Sequence, residues 1–76
     1  MTRRIQGPAS DELVNRLFEH REEAGLTQGA LAEAIGVTRK TINTVERGHY
    51  VPSTVLALRL ARVLGCTVES LFELPE

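Results

Sequence analysis

A chain of 76 residues with 42% hydrophobic and 25% charged side chains and a formal net charge of −1 has the balance of a single soluble globular domain, which excludes a second ligand-binding domain and a disordered tail. Cys66 is the single cysteine, so no internal disulfide is available, and His20 and His49 stand too far apart for a local zinc motif, so neither metal nor cofactor is expected. No apolar run approaches the roughly 18 residues of a membrane span and the start Met1-Thr-Arg-Arg-Ile-Gln-Gly-Pro lacks a secretory h-region, which predicts a cytoplasmic protein without a membrane partner.

Residues 1–10 read as an N-terminal arm, punctuated by Gly7-Pro8, and residues 11–76 as one domain. Apolar positions recur at helical spacing and no run of four or more residues alternates as a half-buried strand requires, so the fold class is all-α. Ser10 is a good N-cap for a first helix over about 11–24, with Leu13, Leu17, His20 and Ala24 on one face and Gly25 as its stop. Val14 and Phe18 add a second apolar stripe to it. Thr27 caps a second helix over about 28–35, with Leu31, Ala32 and Ile35 inward and Gly36 after it. Thr38 caps a third over about 39–47, inward at Ile42 and Val45 and ended by Gly48. Pro52-Ser53 opens a fourth that runs to Gly65, and its apolar residues Val55, Leu56, Leu58, Leu60, Ala61 and Leu64 predict a central helix covered by several neighbours. Thr67 caps a short fifth helix over 68–72, and Pro75 leaves Phe72 to Leu74 extended.

The informative stretch is residues 27–48. Two short helices joined through Gly36 must cross steeply, which needs a small residue at the crossing, here Ala32, and apolar locks, here Leu31, Ile35, Val37, Ile42 and Val45. That packing leaves Arg39, Lys40, Asn43 and Thr44 on the exposed face of the third helix. An α-helix fits the major groove of B-DNA, where Arg and Lys pair with guanine O6/N7 and Asn with adenine N6/N7. A solvated surface face is the plainer reading of the same four residues. Although the whole chain is not basic, positive charge is grouped in Arg3 and Arg4, in Arg39, Lys40 and Arg47, and in Arg59 and Arg62, so one face can still address a polyanion. An enzyme is not expected: no Ser, His and Asp grouping, no metal-ligand spacing and no glycine-rich phosphate loop is present.

The run from His20-Arg-Glu-Glu-Ala-Gly-Leu-Thr-Gln through Val37-Thr-Arg-Lys-Thr-Ile to Glu46-Arg-Gly48 resembles the Cro and lambda-repressor type (XRE) helix-turn-helix family. Tyr50-Val-Pro-Ser-Thr, Ala57-Leu-Arg-Leu-Ala, Leu64-Gly and Leu71-Phe extend the likeness over about residues 13–74. The resemblance implies a compact five-helix bundle with helices 2 and 3 as the helix-turn-helix and helix 3 as the recognition helix. It implies base contacts from Gln28, Thr38, Arg39, Lys40, Asn43 and Thr44, phosphate contacts from Thr27, Thr41, Arg47 and Tyr50, and a structural bridge between Arg21 and Glu46. The sequence departs from the family's pattern at His20, where leucine is usual, at Phe18, usually polar, and at Gly29, where glycine weakens helix 2 by roughly 1 kcal/mol relative to alanine. His20 and Cys66 read as structural residues.

The function expected is transcriptional regulation, as a repressor, by sequence-specific binding to double-stranded DNA. A homodimer on an inverted repeat is expected, because one short helix reads few base pairs and the monomer core is small. Val14, Phe18, Phe72 and Leu74, with Ile5 nearby, are the apolar candidates for its interface. The alternative is a protein-binding module, such as the antitoxin of a toxin–antitoxin pair, or the N-terminal DNA-binding domain of a longer ligand-sensing regulator.

Overall fold

Side-chain caps set where four of the five helices among the described residues begin. In a computed structural model, which describes residues 13–75, the order is β1 (Val14–Asn15), α1 (Leu17–Glu23), α2 (Gln28–Ile35), α3 (Arg39–Glu46), α4 (Thr54–Leu64), α5 (Val68–Leu71) and β2 (Phe72–Glu73). Thr27, Thr38, Ser53 and Thr67 each accept the backbone N–H three residues on, from Ala30, Thr41, Leu56 and Ser70, and so satisfy one of the unpaired donors of a helix start. Between α2 and α3 the turn is made by Gly36, at φ 80°, a left-handed conformation that a Cβ would strain. Its N–H bonds Glu33 O at 3.3 Å and that of Val37 bonds Ala32 O at 3.0 Å, a Schellman ending that turns the chain at once into the next helix.

The core is formed by Leu17, Leu31, Ile42, Val45, Leu60 and Leu71, all fully buried, with Ala32, Ile35, Leu56, Ala57, Ala61 and Phe72 around them. Full burial of each large aliphatic side chain is worth about 1.5–3 kcal/mol. Ala32 is buried among the α2 and α3 residues of this core, and its small side chain lets the two helices cross closely. No helix among the described residues is long and apolar enough to cross a membrane.

Three expectations need correction. The first helix begins at Leu17, not near 11, because Val14–Asn15 pairs antiparallel with Phe72–Glu73, Val14 opposite Glu73 and Asn15 opposite Phe72. The extended tail before Pro75 offers free backbone groups, and Asn15 competes with helix by local bonding: its Oδ1 accepts the Leu17 N–H at 3.0 Å while its Nδ2 donates to Val45 O at 2.7 Å. Arg16 N–H adds a bond to Leu71 O at 2.8 Å. The proposed Ser10 cap, Ile5 and the arm 1–10 lie outside the described residues.

The fourth helix is not covered all round. Leu56, Ala57, Leu60 and Ala61 face the core, whereas Val55 and Leu58 are more than half exposed, since a domain this small has too few elements to cover every side of one helix. Phe72 is buried and Val14 half-buried in the strand pair, so neither is a free surface residue, while Phe18 and Leu74 are exposed. Leu60→Ala should therefore destabilise the fold by about 2–5 kcal/mol in urea unfolding, and Leu58→Ala should change it by less than about 0.5 kcal/mol.

Candidate nucleic-acid interface

An arginine that lies almost wholly inside the domain mounts the exposed face of α3. Arg21, on α1, is 6% exposed. Its Nε donates to Glu46 Oε2 at 2.6 Å, Nη2 to Glu46 Oε1 at 3.2 Å, and Nη1 to Leu26 O at 2.8 Å and Glu22 Oε2 at 3.5 Å. The two parallel bonds to one carboxylate are the strong, directional arrangement that a planar guanidinium allows. The Glu46 hydrogen bond holds the Arg21 pKa above its ordinary value against the opposing cost of burial. Phe18 places its ring 5.3 Å from the guanidinium carbon, close enough for a cation–π contact. The side chain that departs from the family's usual polar residue is thus the cover of the ion pair.

Gln28 extends this network. From the first turn of α2, its Nε2 donates to Glu46 Oε1 at 3.0 Å and to Asn43 Oδ1 at 3.3 Å. Both N–H groups of the amide are engaged inside the protein, which leaves its oxygen for an outside partner. Arg21, Glu46, Gln28 and Asn43 form one chain of hydrogen bonds from the interior to the outer face of α3.

That outer face carries Arg39 and Lys40, both exposed, with half-buried Asn43 and Thr44 one turn on. The Thr44 hydroxyl donates to Lys40 O at 2.7 Å, so towards solvent it offers its methyl and oxygen lone pairs. The Thr38 and Thr41 hydroxyls bond each other at 3.1 Å, and Thr38 Oγ1 also accepts the Thr41 N–H. Thr38, Lys40, Thr41, Thr44 and Tyr50 line one shallow groove of about 240 Å³, which brings together side chains expected on bases and on phosphates. Arg47 and Tyr50 flank the C-terminal end of α3, both exposed. Thr27, at the N-terminus of α2, is occupied with its cap. Among the described residues the ion pairs are Arg16 with Glu73 and Arg21 with Glu22 and Glu46, so Arg39, Lys40 and Arg47 present unneutralised charge.

Two residues of this arrangement escape sequence reasoning. Asn15 ties the start of α1 to the Val45 carbonyl on α3, and its signal was a poor helix former at the predicted middle of a helix turn. Arg59 donates to Ile35 O at 3.4 Å, near the end of α2, where a cation suits the helix dipole. Cys66 lies apart from this face and packs partly buried against the core. Burial pushes its thiol pKa up, in keeping with a small hydrophobe.

The helix-turn-helix family model matches residues 17–71. An HTH-type transcriptional regulator of Methanothermobacter thermautotrophicus is 56% identical over 59 residues, covering 76% of this chain and 86% of that protein. The HTH-type transcriptional regulator YgzD of Bacillus subtilis is 40% identical over 62 residues, covering 82% and 94%. The crystal structure of the restriction-modification controller protein C.AhdI from Aeromonas hydrophila superposes with a TM-score of 0.67 at 39% identity, over 71% of this chain and 82% of that one.

The Arg21–Glu46 pair is 7% and 6% exposed at its side chains, so removing one partner strands a buried charge. Arg21→Met should cost about 3–5 kcal/mol in urea unfolding, a large share of the stability of so small a domain. The double variant Arg21→Met, Glu46→Leu should recover much of that loss.

Proposed function

The chain belongs to the helix-turn-helix family of transcriptional regulators, DNA-binding proteins and not enzymes, and on that premise we propose that it reads a specific double-stranded DNA sequence with α3 in the major groove. The observation that carries this reading is the exposed face of Arg39, Lys40, Asn43 and Thr44 on a helix fixed from beneath by the Arg21–Glu46 pair. Arg39 and Lys40 stand at the start of α3, where a recognition helix meets base edges. Thr27, Thr41, Arg47 and Tyr50 surround that face and serve the phosphates, while Thr38 adds its methyl and hydroxyl at the helix start. Gln28 keeps only its amide oxygen for a base, because its N–H groups are spent on Glu46 and Asn43.

The proposed output is repression in the cytoplasm, since occupancy of a site suffices to exclude other proteins from it. The proposed binding form is a homodimer on an inverted repeat. One eight-residue helix reads few base pairs, and two domains about a two-fold axis would set their recognition helices about 34 Å apart, one turn of DNA. Exposed apolar side chains support an interface: Leu74 and Phe18, with Val51, Val55 and Leu58. Doubling the protein also doubles its phosphate contacts, which offsets the weak net charge of one chain.

Arg39→Ala should weaken binding to the selected operator by about 1–3 kcal/mol and relax preference at one base pair. Arg47→Ala should weaken all sequences alike and reduce the salt slope by about 1; gel shifts across a salt series read both. In sedimentation with a palindromic duplex, two chains should bind per site, and a strict one-to-one complex at micromolar concentration would refute the dimer.

A further inference from the structure

Hydrogen-bond polarity runs in one direction through the chain from Arg21 to Asn43. Glu46 is pinned by both sides of the Arg21 fork, and a carboxylate in an ion pair accepts hydrogen bonds without donating them. Gln28 must therefore turn its amide nitrogen, not its oxygen, towards Glu46 Oε1 at 3.0 Å. The second hydrogen of that same nitrogen faces Asn43 at 3.3 Å. Asn43 in turn must present its oxygen inward. The orientation of an Asn or Gln amide is ordinarily ambiguous, but here the carboxylate fixes both.

From this we infer that Asn43 reads DNA through its N–H edge and that Gln28 is the positioning residue that sets this polarity. The inference rests on the reading of α3 as the base-reading helix. In the major groove guanine presents O6 and N7 and thymine presents O4, all acceptors, whereas cytosine presents the N4 amino group and adenine sets its N6 amino group beside N7. The two-point pairing of Asn with adenine needs Oδ1 aimed at N6–H, and that oxygen is turned to Gln28. A donor edge matches the keto bases. Asn43 thus selects guanine or thymine at one position of each half-site, the reverse of the adenine pairing that its residue type alone suggests.

Binding-site selection from a random duplex pool tests this with three proteins: the parent, Asn43→Asp and Gln28→Leu. For the parent, one position should accept guanine or thymine and disfavour adenine and cytosine by about tenfold. Asn43→Asp still accepts from Gln28 but has no N–H to offer, and the same position should turn to cytosine or adenine. Gln28→Leu releases the Asn43 amide, and adenine should rise there to near parity with the keto bases, while the only other preference to weaken should be at the base that the Gln28 oxygen itself meets. Side-chain amide exchange by NMR on the free parent protein supplies a readout without DNA: both Gln28 Nε2 protons should be protected and the Asn43 Nδ2 protons should exchange freely. Adenine selected by the parent at the position that Asn43→Asp alters, or a reversed amide pattern, overturns the inference alone. A parent with the stated amide pattern that selects no sequence at all overturns the base-reading role of α3, and the inference with it.

Discussion

A guanidinium buried in a domain of short helices is the constraint on which the remaining geometry depends. Taking an ion out of water costs several kcal/mol unless its hydrogen bonds are replaced, and Arg21 has them replaced by Glu46, Leu26 and Glu22. Those partners lie on α3, in the turn between α1 and α2, and on α1 itself. Satisfying one side chain thus fixes three segments relative to one another. Helices of seven and eight residues bury too little apolar surface to be positioned by packing alone, and the directional bonds of the fork supply what packing leaves loose.

The outer face of α3 shows a division between side chains held by the protein and side chains left free. Thr38, Thr41 and Thr44 have hydroxyls engaged within their own helix, and Gln28 and Asn43 are joined to the interior network. Arg39, Lys40 and Arg47 extend without a carboxylate partner among the described residues. Held groups lose little further freedom on meeting a ligand, so they favour discrimination. Free cations favour attraction at a distance, which is sensitive to salt.

Much of this was legible in the sequence because it rests on local rules. A Thr or Ser before an apolar stripe and a Gly after it need no tertiary partner to act: Thr27, Thr38 and Thr67 cap where their positions predict, and Ser53 caps the helix that Pro52-Ser53 opens. The strand pair was not legible. Two residues are too few to show alternation, and the pairing of Val14 with Glu73 joins segments at opposite ends of the chain. The exposed side of α4, with Val55 and Leu58, was not legible for a related reason: hydrophobicity shows what can be buried, while the number of neighbours decides what is. On the outer face of α3, residue types and spacing predict the exposed Arg39 and Lys40. The use of Gln28 as a bridge, and not as a free reader, depends on the distance between two helices, which no spacing encodes.

The strand pair also bears on the order in which the structure assembles. The bonds between β1 and β2 close a loop that contains every helix, and such closure is entropically costly until the intervening chain is already compact. The contacts of α2 with α3 are between neighbours in sequence and form early in a chain dominated by local contacts. On these grounds the helix-turn-helix is expected to form before the terminal clamp closes. The same asymmetry runs backwards in the native state. The two-residue ladder has few hydrogen bonds to break, while Phe72 is anchored in the core, so amide protons of Val14 to Arg16 should exchange while the unit that carries α3 stays folded.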